Sequence, residues 1–159
     1  MDKETLLQCR IKIQEQDFSV TNEYQFLRSL TPESTGAICS FVGLVREFGD
    51  AKGVTGMFLE HYPGMTEKSL QTIIDQAYDR WKFHAVTVIH RVGALKLTDQ
   101  IVFVAVCSAH RRDAFAACEF IMDFLKTSAP FWKKEMSQDK SQWVEAKQSD
   151  QESTQKWLK

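Results

Sequence analysis

Two short stretches gather the cations of this chain that could do chemistry. They are Ser108-Ala109-His110-Arg111-Arg112 and Leu125-Lys126-Thr127-Ser128-Ala129-Pro130-Phe131-Trp132-Lys133-Lys134-Glu135, with a helix-like apolar run between them. Positive charges at both ends of a helix and at the start of the next segment suit a substrate that carries phosphate or develops an oxyanion, because several fixed cations can meet one anion. Each candidate also has a plainer reading. A helix-end lysine such as Lys126 can simply complement the helix dipole. Lys133, Lys134 and Glu135 can be a solvated edge strand with an exposed ion pair. Arg111 and Arg112 can cap a helix at the surface, and a lone histidine such as His110 is more often structural than catalytic. Along an extended segment Lys133 and Glu135 share one side, and Lys134 and Trp132 the other.

Cys107 and Arg112 form Cys-x4-Arg between a strand and a helix. That is the spacing of a rhodanese-like persulfide loop, where helix N-terminal amides stabilise a thiolate; a buried strand cysteine is the commoner explanation. The four cysteines, Cys9, Cys39, Cys107 and Cys118, contain no Cys-x-x-Cys pair, which points away from a disulfide framework and from zinc. No metal or cofactor is expected.

A chain of 159 residues with 43% hydrophobic content can bury one core. We expect a single domain over residues 1–150 and a polar, Gln-rich tail over 151–159 that frays. With 20 basic and 21 acidic residues, the net charge of -1 provides no field for nucleic acid or an anionic membrane. The longest apolar run, Ile101 to Cys107, is too short to span a bilayer, and the polar first residues suggest a cytoplasmic protein.

The elements that position the cations follow from hydrophobic period. Cys9, Ile11 and Ile13 alternate with polar residues as a half-buried strand, and Val20, Tyr24 and Leu27 fall at helical spacing. Gly36 to Val45 and Thr55 to Tyr62 predict strands, separated by a mobile loop over 47–53, with Arg46 at the junction. Leu70, Ile73, Ile74, Ala77, Tyr78 and Trp81 form one helical stripe; Phe115, Cys118, Ile121, Met122 and Leu125 form another, which Pro130 stops. Ala85 to Arg91 and Gln100 to Ser108 predict two more strands, the second apolar on both faces and therefore central. Phe131 to Ala146 is strand-like. The fold class is α+β, with a mixed, largely antiparallel sheet and two long helices packed on it.

Several blocks in order resemble one family: Phe41-Val42-Gly43-Leu44-Val45-Arg46, Glu60 to Lys68, His90-Arg91-Val92-Gly93, Ser108 to Arg111, Phe120 to Thr127, Ala129 to Glu135 and Trp143 to Ala146. Between about Phe18 and Asp150 the chain is similar to the large, catalytic subunit of molybdopterin synthase. The resemblance implies an α/β hammerhead-like fold and a sulfurtransferase of molybdenum cofactor biosynthesis. The substrate is then cyclic pyranopterin monophosphate, which receives two sulfurs. The donor is a small ubiquitin-like subunit whose C-terminal Gly-Gly tail carries a thiocarboxylate, and two large subunits form a homodimer within a heterotetramer. Ending in Lys156-Trp157-Leu158-Lys159 without a Gly-Gly tail, the chain is expected to be the acceptor-side subunit.

By the same resemblance Lys126 and Lys133 are catalytic, and Leu44, Val45, Arg46, His110, Arg111, Lys134 and Glu135 bind substrate, with Leu44 and Val45 offering backbone contacts. Lys133 is expected to favour the neutral amine of Lys126. Leu44 stands where many relatives carry lysine, and Ser128 where an arginine is often found. A non-catalytic module that binds a ubiquitin-like tail is the remaining alternative. One geometric expectation needs no family. A helix from Arg112 to Lys126 is roughly 20 Å long at ~1.5 Å per residue, so His110 and Arg111 meet Lys126, Lys133 and Arg46 only across a twofold axis.

Overall fold

The computed structural model describes residues 7–47, 53–137, 141–145 and 147–158. Eight strands and four helices follow in the order β1 (Gln8–Gln14), α1 (Val20–Ser29), β2 (Ala37–Leu44), β3 (Val54–His61), α2 (Met65–Arg80), β4 (Ala85–Arg91), β5 (Gly93–Lys96), β6 (Gln100–Ser108), α3 (Arg111–Ser128), β7 (Phe131–Ser137), β8 (Ser141–Val144) and α4 (Gln148–Gln155). A short 3-10 turn, Lys156–Leu158, ends the described chain. The fold is α+β. Most of the expected loop over 47–53 lies outside the described residues.

The strands form two four-stranded sheets rather than one, in the orders β1-β4-β6-β2 and β5-β3-β7-β8. In the first, β1 runs parallel to β4, and β4, β6 and β2 pair antiparallel. The second is antiparallel throughout. Period alone could not divide them, because alternation shows which face of a strand is apolar and not which strand it pairs with.

β6 shows why the first sheet is central. Val102, Val104 and Val106 join the layer under α2 and α3, while Phe103, Ala105 and Cys107 join the opposite layer with Phe18 and Leu27 of the α1 region. A strand buried on both faces reads as one apolar run. The stripe on α2 packs as spaced, with Leu70, Ile73, Ile74 and Ala77 buried. On α3 the buried set includes Ala114, Ala117 and Phe120, whereas Phe115 is 63% exposed. Phe115 therefore faces solvent and does not belong to the core stripe. Gly64 starts α2 at φ 85, where its N–H donates to Glu67 Oε2 at 2.6 Å; a side chain would strain that conformation.

Through Leu158 the tail is held against α2 and α3. Trp157 packs edge-on against Trp81 and Phe120, with centroids 5.4 and 5.5 Å apart, and its Nε1–H donates to Asp123 Oδ2 at 2.7 Å. Lys156 bridges Glu119 and Asp123, and Arg80 donates to the Trp157 carbonyl. One aromatic residue in a polar stretch is enough to dock α4, because an indole buries a large area while its N–H finds a partner.

Candidate active site

The last turn of α3, the middle of β7, the end of β2 and the start of α4 converge on a cavity of about 500 Å³. Met57 and Leu59 of β3, Ile101 and Val102 of β6, and Met122 and Leu125 of α3 supply apolar walls. Four cations line it, Arg46, Lys126, Lys133 and Lys147, with the carboxylates of Glu135, Glu145 and Asp150. Among the described residues no group of three His, Cys, Asp or Glu side chains is placed to hold a metal ion.

Lys126 reaches this cavity because α3 ends there. Ala129 is already extended, at φ -84 and ψ 135, as the residue before a proline prefers. The chain then turns into β7, which pairs with β3 so that Leu59 faces Lys133 and Met57 faces Glu135. The two-residue repeat points Lys133 and Glu135 into the cavity together. Lys134 is turned to the other face, where its Nζ lies 5.5 Å from the ring centre of Trp143. Lys134 is not among the residues that line this cavity.

Burial pushes the Lys133 ammonium below the usual lysine range; Glu135 opposes the shift, and Lys147 and Lys126 add to it. Lys133 is thus an amine whose charged form is disfavoured. Glu135 is 5% exposed, and its Oε2 is buried with no hydrogen-bond partner among the described residues. A buried carboxylate is costly unless a cation lies near, and Lys133 supplies that charge.

β2 leaves its sheet through a register shift between Gly43 and Leu44. Such a bulge redirects the strand, and Leu44 and Arg46 both emerge at the cavity, Leu44 with 53% exposure. Val45 does not. Its side chain is 1% exposed in the cluster with Met57, Leu59, Val92 and Leu95. Its N–H donates to the Asp99 carbonyl at 2.9 Å, and its carbonyl accepts from Thr98 N–H at 2.7 Å. Both backbone groups are engaged within the fold, and Val45 is not among the cavity's lining residues.

His110 caps the other end of α3 and Arg111 opens the helix, both exposed and outside the cavity. Arg111 and Lys126 stand 15 residues apart on α3, about 22 Å at ~1.5 Å per residue. A single chain does not bring the two cationic groups together. Gly36 packs beside them: a Cβ there would stand 2.3 Å from the Ala109 carbonyl oxygen.

Cys107 is wholly buried, its thiol donates to the Ala85 carbonyl at 3.5 Å, and burial pushes its pKa up to about 11. A persulfide loop needs an accessible thiolate. The rhodanese-like alternative therefore fails on burial. Ser128 borders a separate groove with Ser69, Thr72 and Phe124.

Glu145, Lys147, Asp150 and His90 line the cavity without having been singled out as site residues. Lys147 and Asp150 belong to the segment adjoining the tail that was expected to fray. His90 stands next to last in β4 at 6% exposure, stacked on Phe131 with centroids 3.9 Å and planes 19° apart. Its sequence signal was its place in the His90-Arg91-Val92-Gly93 block.

The model of the family described as "MoaE protein" matches residues 13–128. The molybdopterin synthase catalytic subunit of Vibrio cholerae serotype O1 (strain ATCC 39315 / El Tor Inaba N16961) is 52% identical over 148 residues, 93% of this chain and 97% of that protein. A solved structure described as the molybdopterin biosynthesis MoaE protein from Burkholderia ambifaria MC40-6 superposes with a TM-score of 0.81 at 48% identity, covering 95% of this chain and 99% of that one. The protein-protein complex of subunits 1 and 2 of the molybdopterin-converting factor from Helicobacter pylori 26695 shares the fold, with a TM-score of 0.66 at 20% identity over 86% of this chain and 90% of that one.

Proposed function

This chain belongs to the MoaE family, and from that premise we propose that it is the catalytic subunit of a molybdopterin synthase, working with a small partner subunit in molybdenum cofactor biosynthesis. In this reading it is a sulfurtransferase. Two sulfurs pass from the thiocarboxylated Gly-Gly tail of a ubiquitin-like subunit to cyclic pyranopterin monophosphate, and the product is the dithiolene molybdopterin.

The observation that carries the reading is the convergence of Arg46, Lys126 and Lys133 on one partly apolar cavity. Apolar walls lower the local dielectric, so each cation acts more strongly on phosphate or on charge developing at a thiocarboxylate carbonyl than it would in water. Lys126 and Lys133 take the catalytic roles, as proton donor, electrophilic anchor or transient nucleophile. Arg46 grips phosphate or pterin, and Glu135 holds Lys133 beside it. His110 and Arg111 complete the site from the twofold mate. The reaction needs no metal and runs in the cytoplasm.

The test incubates the chain with thiocarboxylated small subunit and cyclic pyranopterin monophosphate and follows dithiolene formation. Wild type should turn over and Lys126→Ala should lose about 100-fold or more, the scale for removing one preorganised electrostatic partner. Equal rates for the two would reject the assignment, and binding of the small subunit without any turnover would favour a non-catalytic module.

A further inference from the structure

Residues 147–158 carry two lysines with opposite fates. Lys156 is tied to Glu119 and Asp123 on α3. Lys147 lines the cavity instead, half-buried, and forms no ion pair among the described residues.

Backbone pairing sets its position. β8 runs beside β7 so that Val144 stands opposite Lys133, and both line the cavity. Three residues later Lys147 caps α4, its carbonyl accepting from the N–H groups of Asp150 and Gln151 at 3.0 and 3.3 Å. Beyond the far end of α4, Trp157 is packed against Trp81 and Phe120. The stem of Lys147 therefore leaves a fixed backbone, while its head keeps three rotatable donors.

The wall holds four cations, Arg46, Lys126, Lys133 and Lys147. Three carboxylates share that wall, yet none of the four cations is ion-paired among the described residues. Like charges gathered in a partly apolar space disfavour one another, and Lys147 with Lys126 adds to the burial that lowers the Lys133 value. A lysine with a purely structural role finds a carboxylate, as Lys156 does. Unpaired cations that the fold holds together are complementary to an anion from outside the chain.

We propose that Lys147 is a further substrate-binding residue: its ammonium, carried to the cavity by the β8–α4 junction, contacts the phosphate of a phosphorylated substrate. Phosphate oxygens accept from many directions, which suits a mobile point charge. Phosphate is also charged before the reaction begins, so the contact acts on binding more than on the chemical step. This deepens the function proposed above and rests on it for the identity of the substrate as a pterin; the contact with phosphate does not.

The experiment uses the full chain. Lys147→Met keeps the apolar stem and removes the charge, and Lys147→Arg keeps the charge. With thiocarboxylated small subunit, Lys147→Met should raise KM for cyclic pyranopterin monophosphate about 10-fold, the scale of one charge-assisted hydrogen bond. Its kcat and its KM for the small subunit should stay within about 2-fold of wild type, and Lys147→Arg should keep the wild-type KM for the pterin. A second measurement needs no turnover: modification of Lys147 by an amine-selective reagent, read by peptide mass spectrometry against the exposed Lys68 in the same molecule. Inorganic phosphate should slow it relative to chloride at equal ionic strength, which holds screening constant.

An unchanged pterin KM in Lys147→Met overturns the proposal, as does a rise of equal size in Lys147→Arg, which would make the effect one of shape. A rise in the KM for the small subunit alone would give Lys147 to the thiocarboxylate tail and also overturns it. Protection of Lys147 by phosphate, in a chain that turns over no pterin even as wild type, upholds the anion contact and sinks the pterin substrate instead. Equal modification in phosphate and chloride in such a chain overturns the contact as well.

Discussion

Lys133 and Glu135 stand two positions apart on β7 and enter the same cavity, the lysine half-buried and the carboxylate buried with one oxygen unpartnered. Each makes the other's burial tolerable. The Lys133 ammonium is disfavoured chiefly by desolvation and favoured by Glu135. If turnover needs that ammonium, activity falls as pH rises through the lowered Lys133 value, sooner than an ordinary lysine would dictate. Glu135→Gln removes the group that opposes the shift, so the alkaline limb of the kcat profile should move to still lower pH. An unmoved limb would separate Lys133 from the rate.

Because α3 holds His110 and Arg111 far from Lys126, a shared site demands two chains. Lys126→Ala and Arg111→Ala homodimers should each be nearly inactive. Mixed dimers contain one site that lacks both side chains and one that lacks neither, so mixing should restore up to about half of wild-type activity per heterodimer. No recovery after verified subunit exchange would place His110 and Arg111 outside the site.

Cys107 sits at 0% exposure in the core of the first sheet. Cys107→Ser should keep sulfur transfer from a thiocarboxylated partner, at a stability cost of about 1–3 kcal/mol for the buried hydroxyl. Loss of turnover with an intact urea transition would return the persulfide route.

Trp157 ties the end of the chain to α2 and α3 through Trp81, Phe120 and Asp123. Trp157→Ala should lower unfolding free energy by about 2–3 kcal/mol, somewhat less than a fully buried tryptophan, as measured by urea denaturation. Since α4 begins beside the cavity at Lys147 to Asp150, the variant should also raise KM for the pterin. An unchanged urea midpoint would mean that the tail is not docked.

Local pattern was enough for most of the elements, though not for β5 or α4. The apolar run from Val102 to Cys107, the stripe from Leu70 to Ala77, and the stop at Pro130 each depend on residues a few positions apart, and each of these elements stands where its pattern placed it. The two-residue repeat also separated Lys133 and Glu135 from Lys134 and Trp132 before any coordinates, because a strand's side chains alternate whatever it pairs with. What the pattern could not supply was pairing and depth. That β3 takes β7 as its neighbour, that Val45 is buried while Arg46 is exposed, that Trp157 finds Trp81 across about 75 residues, and that His90 stacks on Phe131 are all products of long-range packing. Residue type and spacing carry the chemistry a side chain can do; only the assembled core sets which charges share one low-dielectric space.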